Sequence, residues 1–196
     1  MSNDDGGHGN DQKQSLNVAC IGCGQIVTHH VEAMATSSSS HLSANKIVIR
    51  ALCDPSKERR QVIEQLASNH KLLHDGTSHH YALLDDLIND TDVLNTIDVL
   101  FIAVPHDLHE TLCMQALSTN KIVVMEKPLA PTRDGCDRLV QVSSELSSSS
   151  NGAAMLIVAE QSPYWQEVAM ARRLIGTFGP REASESKTCW LTQLQW

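Results

Sequence analysis

Glu126-Lys127-Pro128 closes the apolar run "KIVVM" (121–125), setting a carboxylate and an ammonium where a buried strand meets a loop. A lysine desolvated there has its pKa lowered and donates well to a developing alkoxide, while the adjacent carboxylate offsets part of its burial cost. If a ligand binds in front of it, Lys127 is the candidate catalytic residue; the alternative is a plain Glu-Lys pair exposed on a loop. The stretch "VACIGCGQIVTHH" places Gly22 and Gly24 after another apolar run and before a helical one. Gly22 permits a tight turn and Gly24 lets the backbone approach a pyrophosphate. Gln25 and Ile26 open a helix whose N-terminus offers N–H groups and a positive dipole. Val27 stands at the third small position, where its bulk is expected to push the helix off the sheet and crowd the diphosphate. A second acidic position, Asp54, follows the run "KIVIRALC". There a carboxylate accepts hydrogen bonds from the ribose hydroxyls of NAD and repels a 2′-phosphate, or serves as a plain helix N-cap before Pro55. Arg59, one turn on, keeps NADP possible beside NAD, and the inserted "TSSSSHLSANK" lengthens the spacing from loop to acid.

Other chemistries find no support. The adjacent pairs His29-His30 and His79-His80 diverge in any regular element, and His106 and His109 have helical spacing but no carboxylate in register, so no metal site is expected. Cys20 and Cys23 spell CxxC, but Cys20 lies inside a strand-like run and reads as a small buried hydrophobe. Tyr81 reads as a helix-face residue packing Leu84 and Leu87. Neither a GxSxG elbow nor a Walker lysine occurs.

These residues need a scaffold. Apolar runs "LNVACIG", "KIVIRALC", "IDVLFIAV", "KIVVME" and "AAMLIVAE" alternate with helical segments such as 55–69 and 107–119, the pattern of a doubly wound parallel-sheet α/β Rossmann domain covered on both faces. Residues 1–14 read as a disordered tail, 15–160 as the Rossmann domain, and 161–196 as the start of a second α+β domain. The serine runs 37–40 and 147–150 read as lengthened linkers between helix and strand. A formal charge of -8 over 196 residues, without a basic cluster, disfavours nucleic-acid or anionic-membrane partners. The N-terminal stretch has no apolar core of a signal peptide, so a cytoplasmic protein is expected.

"GCGQIVTHH", "IDVLFIAVPHDLHETLCMQAL" and "EKPLA" together resemble the nucleotide-binding half of the Gfo/Idh/MocA oxidoreductases, over about Leu16 to Pro180, with His30 at the family's GxGxxxxxH histidine. The resemblance implies hydride transfer between NAD(P) and a sugar, polyol or related alcohol or ketone. It places Val104, Pro105 and His106 along the adenosine and nicotinamide-ribose side of the cleft, with His109 nearby. It also puts Glu126 on the nicotinamide ribose, Lys127 on the substrate oxygen, and Gln161 near the nicotinamide. Pro128 is expected to fix the turn, in many relatives as a cis bond. His106 departs from the family's usual Asn, and Tyr164-Trp165 from its Arg-Phe. Relatives form homo-oligomers through a C-terminal sheet that also carries an Asp/His acid–base pair. The chain is expected to end before both, which leaves a non-catalytic dinucleotide-binding protein or an inactive truncated product as the alternative.

Overall fold

The computed structural model describes residues 15–39, 46–149 and 154–160, together with Val168, Met170 and Arg173. The chain divides into two compact units, Met1–Ala159 and Glu160–Trp196, and the architecture described here is that of the first. The expected start of a second domain therefore falls almost wholly outside the described residues.

The expected parallel α/β architecture is present. Strands β1 (Ser15–Ile21), β2 (Lys46–Cys53), β3 (His79–Tyr81), β4 (Val99–Ile102), β5 (Ile122–Glu126) and β6 (Met155–Ala159) form one sheet in the order β3-β2-β1-β4-β5-β6. Every pairing is parallel. Helices α1 (Gln25–Ser39), α2 (Lys57–Asn69), α3 (Leu84–Asn89), α4 (Thr91–Thr96), α5 (His109–Leu117) and α6 (Arg133–Ser149) make the connections. Because side chains alternate across a strand, the central strands β1, β2, β4 and β5 feed two cores. Val18, Cys20, Ile49, Leu52 and Phe101 pack with Val27 and Val31 of α1 and Ile63 of α2. Ala19, Ile21, Leu100, Ile102, Val123 and Met125 pack with Leu87, Cys113, Leu117 and Leu139 from the other helices. With both faces covered, β4 is buried at all its residues, which explains its uninterrupted apolar sequence.

Several expectations need correction. The short strand β3 was not legible as an apolar run, because it consists of "HHY". Tyr81 belongs to this strand and not to a helix. Its ring packs against the core containing Leu84 and Leu87 while its hydroxyl donates to Asp90 Oδ2 at 2.8 Å. Ser56, not Asp54, caps α2, accepting from the Arg59 amide at 3.2 Å. The serine runs are not simple linkers, since α1 and α6 extend through Ser39 and Ser149. Serine side chains can return hydrogen bonds to the helix's own carbonyls, as the Ser148 hydroxyl does to Ser144.

Candidate functional site

The chain runs outward from β1 to β2 and β3, then returns to the other side of β1 for β4, β5 and β6. The connections leaving β1 and β4 therefore diverge, opening a crevice beyond their C-terminal ends. A cavity of about 730 Å³ lies there, in the size range of small-molecule sites. Gly22, Gly24, Ile26, Asp54, Val104 and Pro105, all singled out from sequence, line it.

Gly22 is required by the protein itself. Its φ is +88°, its amide donates to the Cys53 carbonyl at 2.7 Å, and an added Cβ would overlap the Ala103 carbonyl, coming 2.8 Å from its carbon. Gly24 differs: an added Cβ would meet nothing within 4 Å. The space over this backbone is open to the cavity, beside the first turn of α1, where the Val27 amide donates to the Gly24 carbonyl at 3.1 Å and the Gln25 and Ile26 amides precede the helix's own hydrogen-bond ladder. That is the form a diphosphate needs. Val27 does not crowd it, since the side chain is fully buried in the core beneath the sheet and contributes nothing to the cavity wall. The expected clash is thus absent, because a residue three positions into the helix faces the sheet.

Asp54 is 6% exposed, and its carboxylate ties the two loops together. Oδ2 accepts from the Cys23 amide at 2.9 Å and Oδ1 from the Ser56 amide at 2.8 Å. Its backbone carbonyl accepts from the Arg60 guanidinium. Each carboxylate oxygen keeps a second lone pair, so the group can hold the loops and still accept from a ribose hydroxyl. The glycine loop and the acid, separated in sequence, form one hydrogen-bonded unit.

Around β5 the geometry is more surprising. The Lys127–Pro128 bond is cis. Glu126 is 7% exposed, and both its oxygens have protein partners. Oε1 lies 2.5 Å from His30 Nε2, and Oε2 accepts from the Lys127 amide at 2.9 Å. The Lys127 side chain is exposed and has no hydrogen-bond or ion-pair partner among the described residues. The expectation of an ammonium desolvated beneath the strand is therefore corrected: β5 ends at Glu126 and the next residue turns outward.

His109 is also reassigned. It has no accessible surface; Nδ1 lies 2.6 Å from the Pro128 carbonyl oxygen and Nε2 2.9 Å from that of Val104. In this conformation it clamps the loops after β4 and β5 and presents nothing to a ligand. His106 is exposed, in the 3₁₀ turn before α5, and stacks edgewise on His109 with 5.3 Å between ring centres. Gln25 is exposed at the start of α1. Gln161, Tyr164 and Trp165 lie outside the described residues.

Sequence reasoning did not find the cavity's apolar flank. Leu83, Leu108 and Leu112 line it with Thr111, and Leu83 and Leu108 are unusually exposed for large aliphatic side chains. Helical spacing could have paired 108, 111 and 112, but Leu83 comes from the β3 connection. His30 carried a motif position without a role, and its partner lies 96 residues away. The CxxC cysteines are buried as expected, and desolvation pushes the Cys20 thiol up to about 12 and Cys23 higher still, so neither is a ready nucleophile.

A Rossmann sheet with a bare glycine loop and an acid at the end of its second strand defines a dinucleotide-binding class. Residues 16–149 match the model of the Gfo/Idh/MocA oxidoreductase family with its NAD-binding Rossmann fold, and the chain belongs to that family. It is 27% identical over 162 residues to an inositol 2-dehydrogenase of Salmonella typhimurium, an alignment covering 82% of this chain and 41% of that enzyme. An inositol 2-dehydrogenase of Ralstonia nicotianae is 28% identical over 84% of this chain and 43% of its own length. The chain thus spans about two fifths of the curated relatives it matches. Its fold matches the WlbA dehydrogenase from Bordetella pertussis, solved with NADH and UDP-GlcNAcA, at a TM-score of 0.64 and 20% identity over 84% of this chain and 43% of that one. No helix among the described residues is long and apolar enough to cross a membrane.

Proposed function

We propose that the protein is an NAD-dependent dehydrogenase acting on a polyol or sugar. The observation that carries the reading is the cavity at the β1/β4 crevice, walled by Gly22, bare Gly24 and Asp54. The Glu126-Lys127-Pro128 loop stands at the same edge of the sheet. When bound, NAD supplies the nicotinamide carbon that takes or gives the hydride.

The chain's own residues do the rest. Gly24 and the first turn of α1 receive the diphosphate, whose charge suits a helix N-terminus. Asp54 accepts from the adenosine ribose, and its negative charge disfavours a 2′-phosphate. Val104, Pro105 and Leu108 supply an apolar wall that excludes water. Lys127, already solvated, reaches a bound substrate and donates to its oxygen as negative charge develops there. Its exposure means that desolvation comes with substrate binding and is not built into the empty site. The chain's similarity to inositol 2-dehydrogenases supports a polyhydroxylated substrate.

The test is a calorimetric NADH titration of the full chain with Asp54→Ala and Lys127→Ala alongside, followed by turnover assays on inositols and sugars. Saturable binding weakened by Asp54→Ala and spared by Lys127→Ala supports the reading. A folded chain that takes up no NADH overturns it. Binding without turnover of any polyol or sugar, at saturating cofactor, favours a non-catalytic dinucleotide-binding role.

A further inference from the structure

The loop that presents Lys127 is held by two histidines, one fully buried and one partly exposed. His109 of α5 anchors it behind, at the Pro128 carbonyl; His30 of α1 anchors it in front, through Glu126. The second link matters more for Lys127. Glu126 Oε1 lies 2.5 Å from His30 Nε2, and the same carboxylate's Oε2 accepts the Lys127 amide at 2.9 Å. The imidazole is itself held edge-on against Phe101 of β4, with ring centres 4.7 Å apart. One short relay therefore runs from the helix that follows the glycine loop to the backbone of Lys127. Nothing in it depends on the lysine's ammonium.

From this geometry we propose that His30 is a positioning residue: it fixes the Glu126 carboxylate, which in turn fixes the direction in which the chain leaves β5 and Lys127 projects. The proposal rests on the reading that Lys127 serves the NAD-dependent site. An unanchored carboxylate on β5 would have several rotamers, only some of which accept the following amide. His30 removes that freedom and compensates the burial of a carboxylate that is 7% exposed. His30 lies on α1, the helix whose first turn the proposed function assigns to the diphosphate. Cofactor and lysine are thereby referenced to the same rigid element.

Amide hydrogen exchange, resolved residue by residue by NMR on the full chain, tests it. His30→Phe keeps a ring against Phe101 and removes the donor; His30→Gln restores a side-chain N–H near the same place. The Lys127 amide is expected to exchange about tenfold faster in His30→Phe, the equivalent of one lost hydrogen bond, and to return towards the parent rate in His30→Gln. Amides of β1 and β4 should be unchanged in both. A merely structural role would instead speed exchange across α1 and its neighbouring strands, without rescue. An unaltered Lys127 rate in His30→Phe overturns the proposal. The imidazole nitrogens of the unmodified protein provide a check that needs no variant: Nε2 must carry the proton facing Glu126, and a bare Nε2 would also overturn it. NADH titration of the same chains reports separately on the cofactor reading. A parent chain without NADH binding refutes that reading even where the Lys127 amide behaves as expected.

Discussion

The two glycines of the loop should respond to the same substitution in opposite ways. At Gly22, alanine incurs a left-handed backbone cost of about 1–2 kcal/mol at φ +88°. It also places a Cβ inside the Ala103 carbonyl, which is backbone and cannot swing aside, for a further loss of about 1–3 kcal/mol. A total near 3 kcal/mol corresponds to a melting temperature lower by about 6–12 °C for a domain of this size. At Gly24 no φ penalty arises and no atom lies within 4 Å of the new methyl. Stability should change by about 0.5 kcal/mol or less, with a bias towards stabilisation from reduced freedom of the unfolded chain. The methyl nevertheless occupies the space a diphosphate would use. Losing one charge-assisted hydrogen bond to the loop amides is worth about 1.5 kcal/mol, so NADH affinity should fall at least about tenfold. Thermal melts followed by circular dichroism and calorimetric titration measure the two effects on one preparation. Gly24→Ala with NADH affinity within about twofold of the parent would refute the placement of the diphosphate.

Asp54→Ala leaves the Cys23 and Ser56 amides without their acceptor and should cost about 2–4 kcal/mol in urea unfolding as well as NADH affinity, with Asp54→Asn intermediate. Lys127→Ala, at an exposed site, should stay within about 0.5 kcal/mol of parent stability and retain NADH binding while turnover is lost; a large loss of stability would contradict its outward orientation. Burial pushes the Cys20, Cys53 and Cys113 thiols from 9.0 up to about 12, so in the folded chain they should resist a thiol reagent that modifies them after denaturation. Because the unfolded chain releases these protons first, the stability they confer is intact below pH 9.0 and lost as pH rises towards 12. Urea midpoints that do not fall across that alkaline range would argue against buried thiols.

The strands and their parallel arrangement were legible because a two-sided sheet demands near-continuous apolar runs, and "VLFI" or "IVVM" can be little else at such lengths. The loop glycines and Asp54 were legible too, since a tight turn beside a strand end restricts residue type locally. What the sequence could not reveal is how distant residues meet. Strand β3 escaped notice because an edge strand of "HHY" needs no apolar run, only backbone pairing with β2. The outward turn of Lys127 depends on where β5 stops, which is decided by pairing with β4 and β6. The His30–Glu126 contact spans 96 residues and arises only because crossover connections bring α1 beneath the end of β5. Residue type and local spacing determined which side chains could do chemistry; tertiary packing decided which of them face the cavity and which hold the others in place, because those contacts join elements that sequence proximity does not connect.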